Sequence, residues 1–179
     1  MNRRAFLEAL RRLGQVSREA GIRLEITIYG GSAMLLAYNS RATTKDIDAI
    51  LVPKEEGERL AAQVARELEL PEDWISSDVS QFVSPTREAK RRLADIEEET
   101  GLIVHAPTAR YLLAMKALAC RRPIAGYRGD LDDLRFLIRK LEIHSVEQIQ
   151  EIIDSFYPDD VIRDDDRILL KTLLEDENL

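Results

Sequence analysis

The chain has 179 residues, 45% of them apolar and 33% charged, with 33 acidic against 26 basic side chains and a net charge of −7. That length suits one domain, or a compact core with a helical appendage, and lets roughly 70% of the unfolded surface be buried without cross-links. The acidic balance argues against broad non-specific nucleic-acid binding, so any contact with nucleic acid requires a local basic patch. The single cysteine, Cys120, lies in an apolar run, which argues against a disulfide framework or a Cys-based metal site and fits a reducing compartment. The opening MNRRAFLEALRRLG lacks the apolar core of a signal peptide, and no apolar run reaches 18 residues. The expected location is therefore the cytoplasm, with no membrane contact.

Phe6, Leu10, Leu13 and Val16 recur at helical spacing over residues 2–20, and Gly21 supplies a stop. Ile22, Leu24, Ile26 and Ile28 then alternate with polar residues, the period of a half-buried strand. Gly30 and Gly31 break that strand, and Ser32 opens a short apolar helix, Ala33 to Tyr38. DIDAILV, 46–52, reads as a second strand closed by Pro53, and 54–69 as an amphipathic helix with Leu60, Val64 and Leu68 in register. WISSDVSQFV, 74–83, suggests a third strand, the charged piece 86–99 a helix or loop, and GLIVHAP, 101–107, a fourth strand. Beyond it the pattern is helical: 108–121, a Pro/Gly loop RRPIAGYRGD, 130–141, and a helix to about 155 that Ser145 and Gln148 start as a capping box. An acidic amphipathic segment, 158–176, follows. Strands first and helices second imply an α+β fold. The reading places a small mixed β-sheet core in residues 1–106 and a C-terminal helical bundle in 107–179, packed together as one unit.

A strand projects residues i and i+2 to one face, with Cα atoms roughly 7 Å apart, so Asp46 and Asp48 point the same way. Two like charges so close favour a cation that both can bind. Upstream, Gly30-Gly31-Ser32 lies between a strand and a helix, where glycine permits close backbone approach and the first helical N–H groups suit an anion such as phosphate. A phosphate cradle on one element and a carboxylate pair on its neighbour together match the two ends of a metal–triphosphate.

GGSAMLL…RATTKDIDAILV resembles the signature of nucleotidyltransferases with the DNA polymerase beta-type fold, and is similar to small bacterial members reading GGSA…R-x-T-x-D-[IV]-D, including abortive-infection toxins of toxin–antitoxin systems. The likeness is strong over 29–52 and looser through 105–138. It implies that Gly30, Gly31 and Ser32 bind nucleotide phosphates, that Arg41 and Thr43 fill the R-x-T positions, and that Asp46 and Asp48 bind Mg²⁺ or Mn²⁺. Asp78, on the third strand, is the choice for a third metal carboxylate. Lys116 interrupts the apolar helix YLLAMKALA, and buried lysines are rare unless paired. It is read either as a catalytic cation on the triphosphate, with Asp130 and Asp133 (i and i+3 on the next helix) in the nucleotide site, or as part of a structural salt bridge joining two helices. Arg87, Lys90, Arg91 and Arg92 are either a solvated helical face or the basic patch an RNA end needs. His105, His144 and the run 163–167 read as non-catalytic, the last as surface.

The activity implied is transfer of a nucleoside monophosphate from an NTP to an acceptor hydroxyl, on tRNA or protein, with a cognate antitoxin as a further partner. The alternatives are an antibiotic-modifying nucleotidyltransferase and a non-catalytic nucleotide- or partner-binding member of the fold.

Overall fold

The structure is a computed structural model that describes residues 1–44, 47–124 and 129–177. It is an α+β fold with a mixed five-stranded sheet, and it divides into two compact units, Met1–Gln81 with Lys90–Ala106, and Phe82–Ala89 with Pro107–Leu179.

The first unit opens with α1 (Arg3–Glu19), where the Asn2 side chain caps the N-terminus by accepting from Ala5 N at 3.0 Å. Then come β1 (Glu25–Ile28), α2 (Gly30–Leu36), β2 (Ile47–Val52), α3 (Lys54–Glu67) and β3 (Ile75–Ser76). After the segment that belongs to the second unit, β4 (Lys90–Arg92), α4 (Ala94–Thr100) and β5 (Ile103–Pro107) complete it. The strand order is β3-β2-β1-β5-β4, with β1 antiparallel to β2 and parallel to β5, and β2 parallel to β3. Period-2 alternation makes one sheet face the core. Ile26, Ile28, Ile47, Ala49, Leu51, Val104 and Ala106 are buried, and α3 packs on β2 behind them. On β2 the residues between, Asp48 and Ile50, are half-buried and Val52 is exposed, so the opposite face remains accessible at Asp48.

Several element boundaries differ from the sequence reading. The first strand starts at Glu25 rather than Ile22, because Ile22 closes the end of α1: its N–H donates to Ser17 O at 2.9 Å and its carbonyl accepts from Ser17 Oγ at 2.6 Å. The short helix starts at Gly30 with Tyr29 as its N-cap, so both glycines fall within its span. The expected third strand stops at Ser76, where the Ser76 hydroxyl accepts from Asp78 N at 3.2 Å and turns the chain into a 3-10 turn, Asp78–Phe82. The charged piece 86–99 resolves into β4 and α4.

The second unit holds α5 (Ala109–Ala119), α6 (Leu131–Leu141), α7 (Val146–Asp154) and α8 (Asp164–Glu177). Residues 82–89, assigned to the sheet core by sequence, belong here because their backbone is tied to these helices. Ser84 N donates to Tyr111 Oη at 2.8 Å, Thr86 Oγ1 to Phe156 O at 2.9 Å, and Tyr157 Oη to Phe82 O at 2.9 Å. At α7 the Ser145 hydroxyl accepts from Gln148 N as expected, while the Gln148 side chain accepts from His144 N, one residue outside the usual box. Among the described residues no helix is long and apolar enough to cross a membrane.

Candidate functional site

The register of β1 on β2 pairs Ile28 with Ala49, which brings the next residue, Tyr29, beside Asp48; Tyr29 N donates to Asp48 O at 2.7 Å. Gly30 follows at φ +53, and a Cβ placed on it would lie 2.2 Å from Asp48 Oδ2. The carboxylate occupies the space a side chain would need, and the backbone sits where L side chains are strained, so glycine is required twice over. At Gly31 a Cβ would meet Thr44 Oγ1 at 3.0 Å and Arg41 Nη1 at 3.1 Å. A carboxylate, a hydroxyl and a guanidinium therefore gather around two residues that present only backbone.

The frame around this cluster is specific. Thr44 N donates to Met1 O at 2.9 Å, the Met1 ammonium donates to Thr44 O, and Thr43 forms an antiparallel bridge with Asn2. The C-terminal carbonyls of α2 are capped by two arginines from other elements: Arg3 Nη1 reaches Leu36 O at 3.0 Å and Arg91 Nη2 reaches Ala37 O at 2.6 Å. The Arg91 guanidinium also lies over the Tyr38 ring, 5.3 Å from its centroid. Burial pushes the Tyr38 phenol above its ordinary pKa, against the opposing hydrogen bond from Arg91.

Of the residues named from sequence, Gly30, Gly31, Arg41 and Asp48 are brought together. Asp46 lies outside the described residues. Ser32 is completely buried and its hydroxyl donates to Tyr29 O at 2.7 Å, so the group expected to face an anion is turned into the first turn of α2. Thr43 is exposed and engaged through its backbone with Asn2; the threonine at the cluster is Thr44, only 9% exposed, which the sequence reading missed. The alternation that turns Thr43 outward turns Thr44 inward, but nothing local in RATTKD sets that phase.

Asp78 is exposed in the 3-10 turn rather than on a strand. Asp48 is level with Ser76 in the parallel β2–β3 register, so Asp78 follows the row of Asp48 by two residues and β3 does not present it there. Among the described residues, no three carboxylate, imidazole or thiolate side chains gather as a metal-binding group.

In the second unit Lys116 is buried and ion-paired to both expected partners, Nζ to Asp130 Oδ1 at 2.7 Å and to Asp133 Oδ2 at 2.6 Å. Asp130 Oδ2 also accepts from Arg121 N at 3.2 Å. All three side chains are at most 7% exposed, a closed ion triad of the kind the structural reading describes. Asp166, read as surface, is 3% exposed and paired with Arg163 at 2.6 Å and Arg122 at 3.5 Å. The basic run does not form one helical face. Lys90, Arg91 and Arg92 are the exposed β4, Arg92 is forked onto Glu97 with both contacts at 2.5 Å, and Arg87, in the second unit, lies 6.0 Å from the Phe156 ring centroid. That fork holds the Glu97 carboxyl below the usual carboxylate range. His105 is half-buried on β5, and His144 is exposed.

The donor set at Asp48 suits a hard cation with a phosphorylated ligand, because Mg²⁺ is typically bound through one or two carboxylates together with water and substrate phosphates. Comparison of the chain with models of protein families, with curated proteins and with solved structures gives no match.

Proposed function

We propose that the first unit binds a metal–nucleoside triphosphate and transfers its nucleoside monophosphate to an acceptor hydroxyl, releasing pyrophosphate. The observation that carries this reading is the convergence at Gly30-Gly31: the Asp48 carboxylate fills the space beside Gly30, and Arg41 and Thr44 stand over Gly31. The likeness of GGSA…RATTKDID to the DNA polymerase beta-type nucleotidyltransferases supports the same reading.

Asp48, with Asp46 from the same motif, would hold Mg²⁺ or Mn²⁺. The ion, when bound, draws charge from the α-phosphate and lowers the pKa of the incoming hydroxyl. The chain's own residues supply the rest. Gly30 and Gly31 carry no side chain of their own, so phosphate oxygens would approach their backbone beside Asp48, Arg41 and Thr44. Arg41 offers forked N–H donors to the phosphates as negative charge moves toward pyrophosphate, and the Thr44 hydroxyl is a second donor beside it. Ser32 acts one step back, holding Tyr29 O and with it the turn that places Gly30. Lys116 with Asp130 and Asp133, and Arg121 at 3.9 Å from Asp130, balance in charge, and we assign them to the stability of the helical unit rather than to the nucleotide.

The test is label transfer from each α-labelled NTP with Mg²⁺, offered total RNA, cell protein or a hydroxylated antibiotic as acceptor. Label is expected on one acceptor class with wild type and on none with Asp48→Asn; tRNA or protein is the acceptor class that the toxin-like motif implies. Metal-dependent NTP binding without transfer to any acceptor would overturn the transferase reading in favour of a nucleotide-binding protein. No NTP binding at all would overturn the site.

A further inference from the structure

The first unit has a second concavity, at the opposite end of β1 from Gly30. It is a cleft of about 430 Å³ where α1 ends and where β1 and β5 begin, lined by Arg18, Ile22, Arg23, Glu97, Gly101 and Ile103 among others. That volume is in the range of small-molecule sites. Its charge is unusual for a chain of net −7. Glu97 is paired with the forked Arg92 and also feels the charge of Arg23, so Arg18 and Arg23 outnumber the one carboxylate of the lining.

Both arginines have donors to spare. Arg18 is exposed, and its side chain's one hydrogen bond among the described residues runs from Nη1 to Thr100 O at 3.4 Å. It is nonetheless positioned: Gly101 sits at φ +71, and a Cβ there would fall 1.8 Å from Arg18 Nη1, so the glycine makes room for the guanidinium. Arg23 is exposed and makes no hydrogen bond or ion pair among the described residues. Beside these cations Ile22 and Ile103, both half-buried, form an apolar wall.

We infer that this cleft is a binding site for a small molecule carrying a single oxyanion, phosphate or carboxylate, on an apolar or ring body. A guanidinium matches either oxyanion through parallel N–H donors, and the isoleucine wall takes the body. The inference does not depend on nucleotidyl transfer, since none of these residues belongs to the Asp48 cluster.

The experiment is an amide-resolved NMR titration of the full chain with phenyl phosphate and, in parallel, benzoate, with inorganic phosphate and benzyl alcohol as comparators lacking one half of the ligand. Saturable shifts are expected at residues 22–24 and 101–103, with the better of the two ring anions identifying the oxyanion and binding about tenfold or more tightly than either comparator. Loss of one charge-assisted hydrogen bond is worth about tenfold. Arg23→Gln should therefore weaken the ring anion by about that factor with the melting temperature unchanged, and Asp48→Asn should leave binding as in wild type. Shifts that do not saturate, that fall elsewhere, or that persist equally in Arg23→Gln would overturn the site.

Discussion

In the first unit Asp48 interrupts an apolar strand, and in the second Lys116 interrupts an apolar helix; in sequence the two look alike, each a charge where burial is expected. They are resolved in different ways. Lys116 is surrounded by its own counter-charges, with Asp130 and Asp133 at 2.7 and 2.6 Å, and the group is closed. Asp48 sits on the accessible face of its strand beside a residue that has no side chain, and it remains half-buried. A charge group buried out of reach of solvent serves stability, whereas a carboxylate on the accessible face of a strand can be reached by a ligand. Substitutions on the two sides should therefore have opposite signatures.

The largest effect is expected at the closed group. Lys116→Met keeps the apolar stem but takes the shared cation from Asp130 and Asp133, leaving Asp130 only the exposed Arg121 at 3.9 Å, and breaking such a buried group from one side costs about 3–5 kcal/mol. Urea unfolding followed by far-UV circular dichroism should show a midpoint well below wild type. Adding Asp130→Asn and Asp133→Asn to the same chain should recover part of the loss. A Lys116→Met protein as stable as wild type but inactive would reverse the contrast and return Lys116 to the nucleotide.

Next comes Gly30→Ala. An L residue at φ +53 costs about 1–2 kcal/mol, and the new methyl would also press on Asp48 Oδ2. A fall of about 1–3 kcal/mol is expected, together with loss of any Mg²⁺–NTP-dependent rise in melting temperature. The double variant Gly30→Ala/Asp48→Ala removes the contact but not the backbone strain, so it should recover only the part due to crowding. Full recovery would mean that the positive φ contributes nothing.

Much of this contrast was legible in the sequence, and its gaps have physical causes. The alternation of DIDAILV placed Asp48 away from Ile47, Ala49 and Leu51, and the burial of β2 follows that period. The i, i+3 spacing of Asp130 and Asp133 pointed both at one helix face, where Lys116 meets them. Thr44 was missed because its orientation depends on pairing with residues 1–2, some 40 positions earlier, which no local pattern encodes. β4 was misread because three consecutive basic residues form a strand only through their pairing in the sheet, again a non-local cause. Asp166 looked like surface in RDDDR, and only the approach of Arg122 from another segment, with Arg163, makes its burial tolerable.

Cys120 probes how closed the second unit is. It caps α5, with its N–H donating to Lys116 O at 2.8 Å, and burial together with the nearby Asp166 carboxylate pushes its thiol up to about 12 from an ordinary value near 9. A raised folded pKa means that the neutral thiol is favoured in the native state. That stabilisation is complete below pH 9 and is lost as pH rises from 9 toward 12, with a limiting slope of about 1.4 kcal/mol per pH unit. Wild type should therefore lose stability relative to Cys120→Ala between pH 9 and 10.5, and iodoacetamide should modify the native thiol far more slowly than the unfolded one. Parallel pH profiles for the two proteins would show the thiol to be exposed to water.

The smallest effect on stability is expected at Asp48 itself. Asp48→Asn keeps the shape of the side chain beside Gly30 and removes one half-buried charge, so without metal its melting temperature should stay within about a degree of wild type, well under the shift that 1 kcal/mol produces. The informative difference appears on addition of Mg²⁺–NTP. A ligand that binds only the folded state stabilises it by RT ln(1 + [L]/Kd), about 2.7 kcal/mol at a hundredfold excess over Kd. Wild type should gain several degrees under those conditions and Asp48→Asn little. NTP without Mg²⁺ should move neither protein much, because the carboxylate then repels the triphosphate instead of sharing a cation with it. A variant that melts several degrees lower without metal yet gains as much as wild type with Mg²⁺–NTP would make Asp48 a structural aspartate. The difference between the two units would then disappear, because both charges would serve the fold.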